Sequence, residues 1–243
     1  MNDITKGLKD RKSVRVFTER EISEEIKNEI LLCAVNAPTA GNQQLYTIID
    51  VRDSELLKEL SVTCDNQPFI ASSAFTLIFC ADFRKWYDAF IQAGCQPRKP
   101  REGDFLLSIN DALIAAQNAV TAAESFGIGS CYIGDIMENC EKHREMLKLP
   151  RYVFPAAMLV FGYPADSQIR REKPQRADMK HIVHKDSYRT MDADELRELF
   201  SPKSKERSYE DWMQAFCNRK YNSDFSVEMS RSVREYLKDW IEE

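Results

Sequence analysis

Two arginines and a serine alternate near the N-terminus, in Arg11-Lys12-Ser13-Val14-Arg15-Val16-Phe17. In an extended chain alternate residues share a face, so Arg11, Ser13 and Arg15 line one side and Val14 and Val16 the other. Two guanidinium forks and a hydroxyl on one face suit a phosphate dianion, which arginine grips with paired hydrogen bonds. A second basic cluster, Arg170-Arg171-Glu172-Lys173-Pro174-Gln175-Arg176, lies far along the chain. The two clusters could close around one phosphate; two solvated basic loops are the other reading. Ala37-Pro38-Thr39-Ala40-Gly41-Asn42-Gln43-Gln44 is a neutral turn of small and polar residues. It offers hydroxyl, amide and backbone donors without acids or bases, which suits a polyol chain joined to a heteroaromatic ring. An ordinary helix-to-strand loop rich in turn formers fits the same residues.

Other chemistries lack their residues. Histidine occurs only 3 times, at His143, His181 and His184, with no His-Glu-x-x-His. His181 and His184 have no third ligand near them in sequence, so no metal site is expected. No Gly-x-Ser-x-Gly elbow and no Walker loop occur. Gly127-Ile128-Gly129-Ser130-Cys131-Tyr132-Ile133-Gly134 has its third glycine misplaced for a dinucleotide fingerprint. It also follows a long helix where that fingerprint follows a strand. A nicotinamide nucleotide, if bound, is not held by a Rossmann domain.

The elements that must position these residues alternate between helix and strand. Ile22 to Ala37 reads as a helix, with Ser23 as N-cap, Glu24 and Glu25 at its positive end and Pro38 stopping it. Leu45 to Val51 reads as a strand and Asp53 to Val62 as a short helix. Phe75-Thr76-Leu77-Ile78-Phe79-Cys80-Ala81 is an unbroken apolar run of strand length, expected in the centre of a sheet. Asp104 to Phe126, rich in Ala and Leu and closed by Gly127, reads as a long central helix, suited to a dimer interface. Phe154 to Phe161 reads as another strand. Ser208 to Glu243 reads as two helices anchored by Trp212, Phe216, Tyr236, Leu237, Trp240 and Ile241. The alternation implies α/β or α+β.

Composition bounds the partners. The 243 residues suit one large domain, or one with an appendage. Lys and Arg number 34 against 39 Asp and Glu, a net charge of −5. No global basic field is available for nucleic acid or an anionic membrane. No apolar stretch approaches the ~20 residues of a spanning helix. The N-terminus lacks a secretory h-region, and the 7 cysteines are odd in number with no Cys-x-x-Cys. Reduced, mostly buried thiols in a cytoplasmic protein are expected, with Cys64 and Cys95 in polar contexts where a thiol could react.

Five motifs in order carry a resemblance over nearly the whole chain: Arg-x-Ser-x-Arg-x-Phe; Ala-Pro-Thr-Ala-Gly-Asn-x-Gln; Asn-Gln-Pro-Phe before a strand ending Phe-Cys-Ala-Asp-Phe; Gly-Ile-Gly-Ser-Cys-Tyr-Ile-Gly-Asp; and Gly-Tyr-Pro-Ala-Asp before the Lys/Arg loop. The chain resembles the nitroreductase family, above all its NADPH-dependent flavin reductases and oxygen-insensitive nitroreductases. The resemblance implies an α+β, α/β-like fold. A central mixed or antiparallel sheet would be flanked by helices, with residues 1–200 as the FMN-binding domain and 201–243 as a helical extension packing on the body or on a partner subunit. It implies a homodimer with FMN at the subunit interface. It implies an NAD(P)H oxidoreductase working by ping-pong hydride transfer through FMN N5 to nitroaromatics, quinones or free flavin. A flavin-binding module without turnover, a sensor or store, is the alternative on the same fold.

By the same resemblance, Arg11, Lys12, Ser13 and Arg15 hold the FMN phosphate, completed by Arg176 and Lys173. Pro38, Thr39 and Asn42 reach the flavin from the partner subunit. Gln67 meets its ribityl or pyrimidine side, and Tyr132, Ile133 and Gly134 lie along the ring. Arg231 borders the substrate channel. Lys203, Lys205 and Arg207 meet the 2′-phosphate of NADPH, NADH being the other reductant. Two departures stand out. The branch often has Gly-Gly after Tyr-Ile, where this chain has Gly134-Asp135. Its phosphate loop is commonly Lys-Pro-Arg, where this chain reads Lys173-Pro174-Gln175-Arg176.

Overall fold

The computed structural model describes residues 2–204 and 206–241. Helices α1 (Asp3–Asp10) and α2 (Glu24–Val35) lead to strand β1 (Tyr46–Asp50), and α3 (Ser54–Thr63) to β2 (Phe75–Asp82). Helices α4 (Arg84–Gln92) and α5 (Glu102–Ser125) precede β3 (Gly129–Ile133), and α6 (Cys140–Leu147) precedes β4 (Val153–Gly162). Short α7 (Asp166–Arg170) and α8 (Met179–Ile182) follow, then α9 (Ala193–Phe200), α10 (Tyr209–Lys220) and α11 (Asp224–Ile241). Two compact units result: the chain up to Arg171 together with Glu228 onward, and Glu172–Val227.

The first unit is built on a sheet of order β1-β2-β4-β3, antiparallel throughout. The apolar run is β2, flanked on both sides and buried along its whole length. Its side chains alternate: Phe75, Leu77, Phe79 and Ala81 join one core, Ile78 and Cys80 the other. Helix α5 lies in the first core. Phe105, Ala112, Ala115, Ala116, Ala119 and Ala123 recur at helical spacing, and so many alanines let it pack closely. Ser23 caps α2 and Asp53 caps α3 through side-chain oxygens. Tyr236 and Trp240 of α11 are fully buried in the first core against Phe154, Phe105 and Tyr152. The aromatic end of the tail therefore belongs to the body of this unit. In the second unit α9 and α10 are joined by an Arg197–Glu210 ion pair and by Arg197 lying over the Tyr209 ring.

Several expectations change. Gly129–Ile133 forms the edge strand β3, although it shows no strand alternation. Two close approaches explain how the chain beside it can fit. A Cβ on Gly129 would stand 2.5 Å from Val14 Cγ2, and one on Gly162 2.6 Å from the Phe17 ring. The 11–17 segment meets the sheet only at two isolated bridges, Ser13 to Ser130 and Phe17 to Pro164. Strict alternation is therefore lost: Val14 is buried, but Val16 is 49% exposed. Cys64 is not a reactive thiol. It is fully buried, and burial with Asp135 nearby pushes it up to about 12. Cys95 is exposed, and the cysteines are free. No helix among the described residues is long and apolar enough to cross a membrane.

Candidate functional site

Strand β3 organises the site. At its start, Val14 N–H donates to the Ser130 carbonyl at 2.9 Å, drawing the 11–15 segment alongside. Arg11, Ser13 and Arg15 all act on the Cys131 thiol, lowering a value that burial raises. The Arg11 guanidinium lies 5.7 Å from the Tyr132 ring centre and 4.0 Å from Glu124 Oε1. Burial pushes the Tyr132 phenol up to about 12, with Arg11 opposing; its hydroxyl donates to Gln117 at 3.4 Å. Ile133 is buried and Gly134 half-buried.

From the second basic cluster, Arg171 reaches this point. Arg171 Nη2 donates to the Ser13 carbonyl. Lys12 Nζ donates to the carbonyls of Arg171 and, at 2.8 Å, Ile169. Lys12 thus ties the two segments together. Arg15 N–H donates to Gln168 Oε1 at 3.3 Å, and its side chain, though exposed, meets the Cys131 thiol.

A cluster of buried donors is left over. Arg11 Nε and Nη2, Arg171 Nε and Ser130 Oγ have no hydrogen-bond partner among the described residues. Buried donors without partners are costly, and positive ones more so. Arg171 reaches Ser13, Ser13 is bridged to Ser130, and Arg11 lies two residues along against Tyr132; such a set fits a phosphate group, whose oxygens accept several bonds at once. A cavity of about 330 Å³ opens beside Arg11, Lys12, Gly129 and Gln168.

At the other end of β3 stands Gln67. Its Nε2 donates to the Cys64 carbonyl at 2.8 Å and to Asp135 Oδ2 at 3.0 Å. Four residue steps separate Ser130 from Gly134, ~13 Å at the usual strand rise. An anion cradle and a polar amide therefore bracket one strand, at a separation suited to a phosphorylated polyol carrying a planar ring. Glu138, just beyond, is buried, with Oε1 unpartnered among the described residues. Burial first, then Asp135, Asp65 and Glu228, push its carboxyl up to about 7.

The 37–44 turn is held from below by a residue that reads only as a helix position in the sequence. Asp111 of α5 is 2% exposed and accepts from the Thr39 hydroxyl, from Ala40 N–H at 3.0 Å and from Leu45 N–H at 3.1 Å. The Thr39 hydroxyl also accepts from Gln44 N–H at 2.7 Å, so it serves the turn itself. Pro38 and Asn42 are exposed, Asn42 with φ +58°.

Arg231 is tied to two carboxylates. Its guanidinium makes paired bonds of 2.8 Å to Glu141 and bonds of 2.8 and 2.9 Å to Glu228. That clamp pulls both carboxyls down to about 2. Glu228 also accepts from Asn139 N–H, and Ser232 from Cys140 N–H, so this stretch of α11 caps α6. In the second unit, Arg176 and Lys203 line one cavity of about 130 Å³ with His181 and Glu198. Lys203 lies over the Phe200 ring, and Arg207 is exposed. Lys173 is half-buried, and Lys205 falls outside the described residues.

An antiparallel sheet packed on a long alanine-rich helix, with buried donors gathered at one edge strand, defines an α+β fold. Residues 8–163 match the nitroreductase family, and the chain belongs to it. It is 32% identical over 238 residues to an FMN reductase [NAD(P)H] of Bacillus subtilis, covering 97% of this chain and 91% of that one. It is 30% identical over 249 residues to an FMN reductase (NADPH) of the same organism, covering 100% and 98%. The solved NfrA1 nitroreductase of B. subtilis superposes with a TM-score of 0.84 at 27% identity, over 97% of this chain and 98% of that one.

Proposed function

We propose that the protein is an FMN-dependent NAD(P)H oxidoreductase that passes electrons to nitroaromatics, quinones or free flavin. The observation that carries this reading is the set of buried donors without hydrogen bonds on Arg11, Arg171 and Ser130, inside or beside the stretch that matches the family. Relatives named as FMN reductases along their whole length support the activity.

Arg11, Ser13, Arg15, Ser130 and Arg171 would hold the phosphate, with Lys12 bracing the two segments. Gln67, Tyr132, Ile133 and Gly134 would hold the ring side. When bound, FMN supplies two-electron chemistry, accepting hydride from NAD(P)H and yielding it to the second substrate. This chain's residues bind and orient; the reading asks no acid or base of them at the reacting atom. Lys203, with Lys205 and Arg207, would meet the 2′-phosphate of NADPH. Arg176 shares Lys203's cavity and is assigned with it.

The protein would act as a homodimer in the cytoplasm, with Pro38, Thr39 and Asn42 facing the partner's flavin. An exposed apolar surface supports the dimer: Leu106, Leu107 and Ile114 of α5, Ile4 of α1 and Leu32 of α2 are each at least 41% exposed. A mainly apolar cavity of about 650 Å³ lies beside them, lined by α1, α2 and α5.

The test is an absorbance spectrum of the purified protein. A yellow protein bleached by NADPH and restored by a quinone is expected. A yellow protein that NADPH never bleaches supports a binding module instead. A colourless preparation that gains no thermal stability with FMN overturns the reading, since specific binding must stabilise.

A further inference from the structure

One carboxylate stands among the cations of the cradle. Glu124 lies in the last turn of α5, a turn that carries no basic residue. A negative side chain there meets the negative end of the helix dipole, which disfavours it. Its Oε1 is 4.0 Å from Arg11 Nε, and both side chains are half-buried. Its other oxygen, Oε2, lies by Gly7 of α1, where a Cβ would stand 4.0 Å away. Arg11 follows directly on that helix, its N–H donating to the Gly7 carbonyl at 2.8 Å. Arg11 and Glu124 line the same cavity of about 330 Å³. Arg11 Nε and Nη2 nevertheless make no hydrogen bond among the described residues. Glu124 thus faces the charge of Arg11 without filling those two donors.

We propose that Glu124 is a positioning residue that makes FMN exchangeable, by competing with its phosphate for the charge of Arg11. This rests on the flavin reading above. In the ligand-free protein Arg11 partly offsets the unfavourable place of Glu124 at the helix end. A phosphate on the vacant donors of Arg11 takes over that positive charge. Glu124 is then left near a second anion, at the negative end of α5, with less charge to hold it. Binding incurs that cost and release recovers it. With a neutral side chain at position 124, the same donors would hold the phosphate unopposed. The site is thereby suited to a flavin that exchanges with solution.

The test measures binding of FMN and of riboflavin, which has no phosphate, by quenching of flavin fluorescence on the full-length, ligand-free protein. Release of FMN is timed in the same way after dilution. Glu124→Gln keeps the shape of the side chain and removes its charge. It should bind FMN roughly fivefold tighter than the wild type, with correspondingly slower release, and bind riboflavin unchanged. In an Arg11→Met background there is no guanidinium to compete for, and the gain from Glu124→Gln should fall below about twofold. Unchanged or weaker FMN binding in Glu124→Gln overturns the proposal. So does an equal gain for riboflavin, or an undiminished gain in the Arg11→Met background. If Glu124→Gln does not fold, Glu124→Met carries the same comparison with the same refuting outcomes. A wild type that binds neither flavin overturns the function instead.

Discussion

Replacing Arg11 by Met separates the folding role of that side chain from its binding role. In the ligand-free protein Arg11 Nε and Nη2 are buried and unpartnered, and the nearest carboxylate oxygen, on Glu124, stands 4.0 Å away. An unsatisfied buried donor costs about 1–3 kcal/mol. Against this the guanidinium gains about 0.5–1 kcal/mol over the Tyr132 ring, and its stem packs as methionine's would. The two unsatisfied donors outweigh the ring contact, so the ligand-free variant should be more stable than the wild type by about 1 kcal/mol or more. With FMN bound, a charged hydrogen bond to phosphate is lost, about 1.5–3 kcal/mol. Affinity should fall roughly 10- to 150-fold. Riboflavin, which lacks the phosphate, should bind the variant and the wild type alike. Urea unfolding of the ligand-free protein and fluorescence titration with both flavins measure all three quantities. Equal weakening for FMN and riboflavin would show that Arg11 does not meet the phosphate, and unchanged FMN binding would place the phosphate elsewhere.

Other outcomes follow from particular residues. Glu138 carries a folded value of about 7 against an ordinary 4.5, so the folded state holds its proton more tightly and wild-type stability falls as pH rises between those values. Glu138→Gln should therefore stabilise at pH 8 and do little at pH 4.5; the full shift corresponds to ~3 kcal/mol, and nearby water reduces the expected gain to ~1–2 kcal/mol. Equal urea midpoint shifts at both pH values would refute this. Asp111→Ala leaves two backbone N–H groups without their acceptor and should cost ~3 kcal/mol, with faster hydrogen exchange at Ala40 and Leu45; unchanged exchange there would mean the turn holds itself. Replacing Lys203, Lys205 and Arg207 together should raise KM for NADPH far more than for NADH, and an equal rise would remove the 2′-phosphate role.

How much of this was legible from residues alone depends on whether the signal is local. The helix with Ser23 at its cap and the apolar run Phe75–Ala81 are local patterns, and the structure has α2 and β2 there. The basic character of the 11–15 segment was visible, but the alternation that would put Arg11, Ser13 and Arg15 on one face is broken, with Val16 49% exposed. Edge strand β3 was not visible, since its five residues, opened by Gly129, show no two-residue alternation and its ladder runs along β4 alone apart from the Ser13 bridge. Asp111 could have been suspected as an acid in an alanine-rich helix, but its three donors lie 66 to 72 positions away. Arg171 stood among several basic neighbours, and nothing in that run distinguishes the one whose side chain reaches Ser13.

The order of motifs along the chain determined the family, and spacing determined most helices and the central strand, because hydrophobic periodicity and capping act over a few residues. The tertiary structure alone decided which cations converge. It brought Arg171 to Ser13, grouped Arg176 with Lys203, and closed Arg231 between Glu141 and Glu228. Charge on a sequence has no direction. Whether a guanidinium waits for an anion or already holds one depends on which carboxylates the fold carries to within hydrogen-bond reach.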